Sequence, residues 1–313
     1  LVCSTTKSMT KFAVTPWSLG DNIVAAELAA QAALAEKMGF HSFWLPENHF
    51  GDQRSIPSPL TLLAAAAATT KTIKLGTTSY LITIGHPLQA AEEVAVLDQL
   101  AEGRLILGLG GGVQPTMFTA FNLPTKEKRK RFRENLDLML RAWAGEPVAT
   151  DEGKPVILAP LPYQRPHPEL WMAAFGPLAL KQAGSLGMPY LASPIETLQT
   201  MKQRDDLFYA VVKKKVLAHG PTVPGMRSIF VSDDSKLVRE LKAAMADSLP
   251  HAMRDETANI DDWTVIGDAS YVKDRLAEYI ESLNVTHFIA RGRFPLVSNE
   301  QQLESHERLL TLA

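Results

Sequence analysis

LGTTSYLITIGHPLQAAEEVAVLDQLAEGRLILGLGGG, residues Leu75–Gly112, is the stretch of the chain that decides the fold. Both of its ends are short β-rich runs, and its middle repeats apolar residues at helical spacing. We predict a strand over Ile73–Tyr80, a helix that Pro87 opens and Gly103 closes, and a strand over Arg104–Gly108. This strand–helix–strand order is typical of a parallel sheet.

The same alternation continues in both directions along the chain. Eight strands with helices between them, and no long polar linker, predict a closed (β/α)8 TIM barrel with insertion loops at 145–168 and 249–268. An open doubly wound sheet is the alternative, but it normally has fewer strands and a tighter first turn. The other predicted strands are Phe12–Thr15, His41–Leu45, Leu170–Ala174, Tyr190–Ala192, Arg227–Val231 and Thr286–Ala290. The other predicted helices run from Asp21 to Gly39 and over 60–70, 126–144, 177–186, 196–214, 234–248 and 269–283, with a last helix at the end of the chain.

Length and composition favour one enzyme-sized domain. The chain has 313 residues, 46% of them apolar, and we predict a single barrel domain over 9–313 after a disordered or cloning-derived tail, 1–8. The formal net charge is -2, and we interpret the densest basic run, Lys126–Arg131, as a solvated helix face, so no nucleic-acid partner is expected. The longest apolar run, Leu60–Ala68, is interrupted only by Thr61 and is too short to span a membrane. One cysteine, Cys3, excludes an intrachain disulfide and fits a reducing cytoplasm.

Candidate catalytic residues follow the second predicted strand. Active sites of such barrels lie at the carboxyl ends of the strands. Glu47, Asn48 and His49 place a carboxylate, an amide and an imidazole side by side there. A histidine in this place can hydrogen-bond a developing oxyanion or relay a proton near neutral pH. It can equally be a loop histidine that caps backbone groups, and position alone favours neither function.

Candidate ligand-binding residues follow the fourth and fifth strands. Gly110, Gly111 and Gly112 let the backbone approach a ligand and offer N–H groups to an anion, although a tight corner explains the glycines equally well. Their spacing does not fit the dinucleotide fingerprint. A second segment leads into a helix whose free N–H groups can hold a phosphate. This segment is Phe175, Gly176, Pro177 and Leu178, and we predict no metal site.

Taken together, these segments resemble the bacterial-luciferase-like monooxygenase family. The resemblance is carried by residues 75–112 and by AALAEKMGFHSFWLPENHF, residues Ala32–Phe50, and it spans roughly the whole chain after Met9. It implies a TIM-type barrel that holds reduced FMN, or the deazaflavin coenzyme F-420, at the strand ends. It also implies a cis peptide at Thr78–Ser79 beneath the cofactor ring, with the phosphate near the two glycine-containing segments.

The sequence departs from this family at the candidate site. Luciferase-type members have Glu-His-His after the second strand, where this chain has Glu47, Asn48 and His49. Many deazaflavin-dependent relatives have a single histidine there, aligned with His49, which makes His49 the best catalytic candidate. The resemblance implies an arginine at Gly111 and Glu-Ser at Phe175-Gly176, and both are replaced here.

The leading hypothesis is a two-component monooxygenase. A separate flavin reductase would deliver reduced FMN, and O2 would oxygenate a small organic substrate. The alternatives are a dehydrogenase or reductase dependent on coenzyme F-420, which uses no O2, and a non-catalytic flavin-binding protein. The resemblance also implies a homodimer formed through the second and third helices, where the alanine run Ala64–Ala68 allows close approach.

Overall fold

A computed structural model describes residues 10–19, 25–51, 53–212, 222–248 and 259–312. These residues belong to two compact units. Of the described residues, the first unit takes in those within Leu1–Ser18, Met38–His41 and Phe175–Ala313, and the second takes in those within Leu19–Lys37 and Ser42–Ala174. The predicted tail 1–8, the predicted helix start at Asp21 and the first part of the 249–268 stretch lie outside the described residues.

Strands and helices alternate along the described chain. The strands are β1 (Lys11–Val14), β2 (Ser42–Leu45), β3 (Lys74–Thr77), β4 (Tyr80–Leu81), β5 (Leu105–Gly110), β6 (Ala149–Asp151), β7 (Lys154–Val156), β8 (Glu169–Ala173), β9 (Tyr190–Leu191), β10 (Pro224–Val231), β11 (Thr264–Gly267) and β12 (His287–Arg291). The α-helices are α1 (Ala25–Met38), α2 (Pro59–Thr69), α3 (Pro87–Leu100), α4 (Pro115–Ala120), α5 (Lys128–Trp143), α6 (Pro177–Leu186), α7 (Leu198–Tyr209), α8 (Ser235–Ser248), α9 (Ala269–Leu283) and α10 (Asn299–Leu310).

The second unit is built on parallel strands. Its strands lie in the order β2–β3–β5–β8, and β4 also pairs with β5. Leu45 is opposite Thr77, and Leu109 is opposite Tyr80, so the carboxyl ends of these strands lie at one edge. Strands β2 and β5 are wholly buried, which explains why they are continuous apolar runs without alternation.

Close aromatic packing fills the core of the second unit. Trp44 and Trp171 are fully buried and stack with their ring centroids 4.7 Å apart. Gly76 on β3 leaves room for this stack, because a Cβ at that position would stand 2.3 Å from Trp44 Cε3. Any side chain at Gly76 would therefore force the core apart.

Two charged residues of the fold-deciding stretch anchor the loops between elements. Arg104 donates hydrogen bonds to the Thr70 hydroxyl and to the carbonyl of Ile73. Asp98 is fully buried and accepts hydrogen bonds from the backbone N–H and the side-chain amide of Gln164, at 2.7 and 2.8 Å. These residues therefore stabilise the connections between elements of the unit.

The first unit is built on parallel strands as well. Four of its strands lie in the order β11–β10–β12–β1, with Ser228 opposite Thr264 and Lys11 opposite His287. Arg227 on β10 is fully buried and donates to the Tyr279 hydroxyl at 2.8 Å. Its charge is thus compensated by hydrogen bonds to polar oxygen atoms within the core.

The predicted parallel α/β architecture is confirmed in both units, with three corrections. The predicted insertion loop 145–168 contains an antiparallel pair, β6 and β7. The predicted irregular stretch 249–268 ends in β11, a buried four-residue strand beside β10. The predicted strand 73–80 is divided into β3 and β4. Each of these elements is four residues or shorter, too short for a clear period in the sequence.

None of the helices in the described part of the chain is both long and apolar enough to cross a membrane.

Candidate functional site

Three loops of the second unit begin at the same edge of its parallel strands. They are the loops that follow β2, β3 and β5, and they contain most of the residues that the sequence predicts to be functional. The backbone N–H of Thr78 bonds to the Leu45 carbonyl at 2.8 Å, which ties the first two loops together. Thr83 Oγ1 donates to the Gly111 carbonyl at 3.1 Å, which ties the segment after β4 to the loop after β5.

A buried carboxylate and imidazole form the core of this edge. His49 Nε2 lies 2.8 Å from Glu47 Oε1, and the two side chains are only 8% and 3% exposed. Among the described residues, Glu47 is the only hydrogen-bond partner of the His49 side chain. When Glu47 is ionised, its Oε1 accepts a hydrogen bond from Nε2–H, and the lone pair of the ring is then at Nδ1. In that state Nδ1 is the ring atom that can accept a hydrogen bond.

Glu47 is held at both of its oxygen atoms. Oε2 accepts a hydrogen bond from the backbone N–H of Leu81 at 2.7 Å. Burial raises the pKa of Glu47, while the contacts with Leu81 and His49 oppose that rise. Burial also raises the pKa of the nearby Tyr80 hydroxyl, and the charges of Glu93 and Glu47 add to this rise. The phenol therefore remains neutral at physiological pH.

Asn48 braces the loop after β2. Its side-chain oxygen accepts from the backbone N–H of Ile56 at 2.6 Å, and its own N–H donates to the Ile56 carbonyl at 3.0 Å. These two bonds tie Asn48 to Ile56 across the loop that contains His49. In this structure Asn48 holds the loop, and a role for it in the reaction remains a prediction.

Two phenyl rings flank the imidazole. The Phe121 ring meets His49 edge-on, with centroids 5.2 Å apart and planes at 90°. Phe50 lies 5.5 Å from Phe121 and is 64% exposed, and Phe121 is 38% exposed. Large exposed phenyl rings beside a buried polar pair are typical of the wall of an apolar binding site.

The peptide bond between Thr78 and Ser79 is cis, as the resemblance predicts. Thr77, just before it, is fully buried and donates its hydroxyl hydrogen to the Gly108 carbonyl at 2.8 Å. Gly110 packs directly against Ser79, since a Cβ at Gly110 would stand 1.9 Å from the Ser79 hydroxyl oxygen. Glycine is therefore needed at position 110 so that β5 can pass the cis peptide.

The glycine run, Gly110, Gly111 and Gly112, lies at the end of β5 and contacts the start of α5. Lys128 Nζ donates to the Gly112 carbonyl at 2.9 Å, and Arg131 Nε donates to the Thr83 carbonyl at 2.9 Å. Interpreting Lys126–Arg131 as a solvated helix face is therefore wrong for these two residues. Both side chains are half-buried and donate to backbone carbonyls of the neighbouring loops.

The segment Phe175–Leu178 belongs to the first unit. Gly176 is the N-cap of α6, Pro177 is its first residue, and no side chain caps this helix end. A Cβ added at Gly176 would meet nothing within 4 Å, and Phe175 and Leu178 are 47% and 56% exposed. The helix end thus has open space around it, and its role in binding a phosphate remains a prediction.

Sequence reasoning misses two features of this site. Phe121 lies 72 positions after His49, and only the fold brings the two rings together. Lys128 is one of several similar basic residues, and the sequence alone does not distinguish the one that turns inward. Within the described ranges, no group of three or more histidine, cysteine or acidic residues is placed to hold a metal ion.

Comparison with known proteins identifies a family. The sequence model of that family, luciferase-like monooxygenases, matches residues 6–287. A curated relative, the F420-dependent glucose-6-phosphate dehydrogenase of Beutenbergia cavernae, is 35% identical over 178 residues, which are 53% of this chain and 52% of the relative. The chain thus aligns with about half the length of such curated relatives.

Two solved structures match nearly the whole chain. Monooxygenase RslO1 from Streptomyces bottropensis is 25% identical, with a TM-score of 0.78 and coverage of 96% of this chain and 97% of that one. The oxygenating constituent of 3,6-diketocamphane monooxygenase from Pseudomonas putida, solved in complex with FMN, is 18% identical, with a TM-score of 0.79 and coverage of 96% of both chains. At 18% identity, the likeness to this second structure shows a shared fold and nothing more.

Proposed function

Because the chain belongs to the luciferase-like monooxygenase family, we propose that it is a flavin-dependent oxidoreductase, the oxygenase component of a two-component monooxygenase. A separate flavin reductase supplies it with reduced FMN, and its substrate is a small apolar organic molecule. The observation that carries this proposal is the buried Glu47–His49 pair, which lies between exposed phenyl rings at the edge where the cis peptide and the glycine run also lie.

The residues at this edge fit a flavin. A flavin has a flat, largely apolar ring and an anionic tail. The phenyl rings of Phe50 and Phe121 provide exposed apolar surface. At the glycine run, a Cβ added to Gly111 would have no atom nearer than 3.7 Å, and the ammonium group of Lys128 lies beside this backbone. Both parts of the cofactor therefore have suitable partners in the second unit.

Reduced FMN supplies the two electrons with which one oxygen atom of O2 enters the substrate and the other leaves as water. The protein's task is to bind, to orient and to control protons. His49 is the residue proposed to do this at its Nδ1 atom. Glu47 holds the ring through Nε2, so that Nδ1 can take a proton from a substrate oxygen or return one to it.

We keep the predicted cofactor-binding residues of each unit as proposals. In the second unit they are Thr78 and Ser79 for the ring, and Gly110, Gly111 and Gly112 for the tail. In the first unit they are Phe175, Gly176, Pro177 and Leu178. Pro177 has no N–H, so the donor from this helix end is Leu178 or a residue after it.

We extend the proposal to the architecture and assembly. The two near-complete structural matches support a closed (β/α)8 barrel and a single domain over 9–313. The alanine-rich helix α2 supports a homodimer formed through α2 and α3, since small side chains let helices approach closely. The single cysteine supports a reducing, cytoplasmic location.

A dehydrogenase or reductase that uses the deazaflavin coenzyme is the second candidate. It is favoured by the identity with the dehydrogenase from Beutenbergia cavernae and by the single histidine after β2. In that case His49 would move a proton while a hydride passes between substrate and coenzyme, without O2.

An anaerobic binding titration separates these candidates. Wild-type protein is titrated with reduced FMN, oxidised FMN and the deazaflavin coenzyme, and we expect reduced FMN to bind most tightly. Gly111→Ala and Gly176→Ala are the site variants, because a Cβ has space at both positions and the fold should tolerate it. They should weaken binding without lowering the melting temperature.

Tighter binding of the deazaflavin coenzyme than of reduced FMN would instead support the second candidate. If the protein binds none of these three molecules, the proposed function is wrong. Flavin binding without turnover in any assay would support the non-catalytic alternative.

A further inference from the structure

Arg291 is the last residue of β12 in the first unit, and it lies at the carboxyl end of a buried strand. The other residues of β12, His287–Ala290, are buried, whereas Arg291 is exposed. The chain is fixed directly after Arg291, because the Gly292 N–H donates to Thr15 Oγ1 at 3.0 Å. A Cβ at Gly292 would stand 2.7 Å from Trp17 Cα, so the backbone is tightly packed there as well. The guanidinium group therefore extends from a firmly held strand end.

The register of the strands places Arg291 on the face of the sheet that is turned away from helix α9. Tyr279 of α9 accepts a hydrogen bond from Arg227 on β10 and meets the ring of Phe288 on β12, so these two side chains lie on the helix side. Successive side chains of a strand point to opposite faces. Ser228 and Arg291, which are opposite each other, therefore lie together on the other face.

Hydroxyl groups continue from Arg291 across this face. Ser228 on β10 is opposite both Arg291 on β12 and Thr264 on β11. Thr264 is fully buried and donates its hydroxyl hydrogen to the Ile260 carbonyl at 2.8 Å. Ser228 is only 2% exposed, and its hydroxyl has no hydrogen-bond partner in the described ranges. Buried polar groups normally have a partner, so this hydroxyl is available to a ligand beside Arg291.

The charge of Arg291 is not compensated within the part of the chain that the structure describes. No ion pair or side-chain hydrogen bond there includes its guanidinium group. Desolvation by the surrounding protein lowers the pKa of Arg291, and the positive charge of Arg293 lowers it further. The side chain is nevertheless exposed, so it borders an opening and not a packed interior. An anion in this opening would offset both effects on the charge.

We propose that Arg291 and Ser228 form an anion-binding site at the carboxyl ends of β12 and β10, and that this site holds a carboxylate group of the substrate. A guanidinium group presents N–H donors in a planar fork, which matches the two oxygen atoms of a carboxylate. The Ser228 hydroxyl supplies one further donor. Substrates of α/β barrels bind at this end of the strands. The inference rests on the proposed function and refines it, since the small organic substrate is then apolar except for one carboxylate.

A binding experiment without flavin tests this site directly. Hexanoate, its neutral analogue hexanamide and hexyl phosphate are titrated into the full chain, and isothermal titration calorimetry reports the dissociation constants. The site variants are Arg291→Gln, Arg291→Lys and Ser228→Ala. The control Arg239→Gln removes an exposed arginine of α8 in the same unit. Melting temperatures show that each variant is folded.

We expect wild type to bind hexanoate more tightly than hexanamide. Arg291→Gln should lose roughly 10- to 100-fold in affinity for hexanoate, because the charged hydrogen bonds are gone, and should keep its affinity for hexanamide. Ser228→Ala removes one neutral donor and should lose roughly 2- to 10-fold for hexanoate. Arg291→Lys keeps the charge without the fork and should fall between wild type and Arg291→Gln. Arg239→Gln should bind like wild type.

Three outcomes would overturn the inference while the proposed function stands. The first is a wild type that binds hexanoate no more tightly than hexanamide. The second is an equal loss for both probes in Arg291→Gln, which would show that Arg291 only shapes the opening. The third is tighter binding of hexyl phosphate than of hexanoate, which would assign the site to a phosphate. If wild type binds hexanoate through Arg291 but binds no flavin, the proposed function fails and the anion site remains.

Discussion

Replacing His49 with alanine separates a catalytic role from a bracing role. If Nδ1 of His49 moves a proton in the reaction, His49→Ala should lower the single-turnover rate by about 10²–10⁴-fold. The same change also removes the hydrogen bond to Glu47, whose side chain is only 3% exposed. An unpaired buried carboxylate costs roughly 1–3 kcal/mol or more, so the variant should be less stable as well.

A second substitution removes this structural side effect. In the double variant His49→Ala with Glu47→Gln, the uncompensated charge is gone and the amide can still accept from the Leu81 N–H. Its free energy of unfolding should recover part of the loss, whereas its turnover should stay low. His49→Asn keeps some hydrogen bonding without a proton relay and should fall between wild type and the alanine variant in rate.

Three measurements on the same protein samples decide the question: melting temperature, cofactor affinity and single-turnover rate per folded molecule. Cofactor affinity should change little in all three variants. The reasoning is refuted if His49→Ala melts at a lower temperature but turns over at the wild-type rate, because His49 would then only brace the loop through Glu47.

Further predictions concern the core, the glycine run and the phenyl wall. Burial lowers the pKa of His306 from 6.5 to about 4, so the folded state favours the neutral imidazole. The free energy of unfolding should therefore be highest above pH 6.5 and fall by about 3 kcal/mol as the pH falls towards 4. His306→Leu should flatten this part of the pH profile in urea unfolding, and an unchanged profile would show that His306 is not its cause. Gly110→Ala should destabilise the protein by roughly 1–3 kcal/mol, because the new Cβ meets Ser79. The control Gly111→Ala should leave the melting temperature within error of wild type. Equal melting temperatures for both variants would show that the backbone at Gly110 has room for a side chain beside Ser79. Phe121→Ala should weaken the binding of apolar substrates by about 1–3 kcal/mol, as measured by the Michaelis constant. Leu207→Ala, an exposed apolar control in the first unit, should leave the Michaelis constant unchanged. Equal effects of the two substitutions would show that Phe121 does not contact the substrate.

The sequence predicts the parallel α/β architecture because its long elements carry clear periods. Helix α3 begins at Pro87 and is followed by Gly103 with a positive φ of 77°, as the residue types indicate. Strand β11 is missed because a strand of four residues within an irregular stretch carries too little pattern. The pair β6–β7 is missed for the same reason, since its two strands are exposed and only three residues long.

The candidate site is predictable where its residues are neighbours in the chain. Glu47 and His49 are two positions apart, a spacing that places side chains on the same side of an extended segment. Their contact at 2.8 Å follows from that local geometry. The contacts of His49 with Phe121 and of Gly112 with Lys128 depend on how distant segments pack, and neither residue type nor spacing records this packing in one sequence.

Labelled oxygen gives the most direct test of the proposed monooxygenase reaction. Protein loaded anaerobically with reduced FMN is mixed with ¹⁸O₂ and with a panel of small apolar ketones, aldehydes and alkenes, and the products are analysed by mass spectrometry. The account predicts an organic product that carries one labelled oxygen atom, formed by wild type and strongly reduced in His49→Ala. Label confined to water and hydrogen peroxide across the whole panel, together with reduction of the deazaflavin coenzyme by an alcohol substrate, would contradict it.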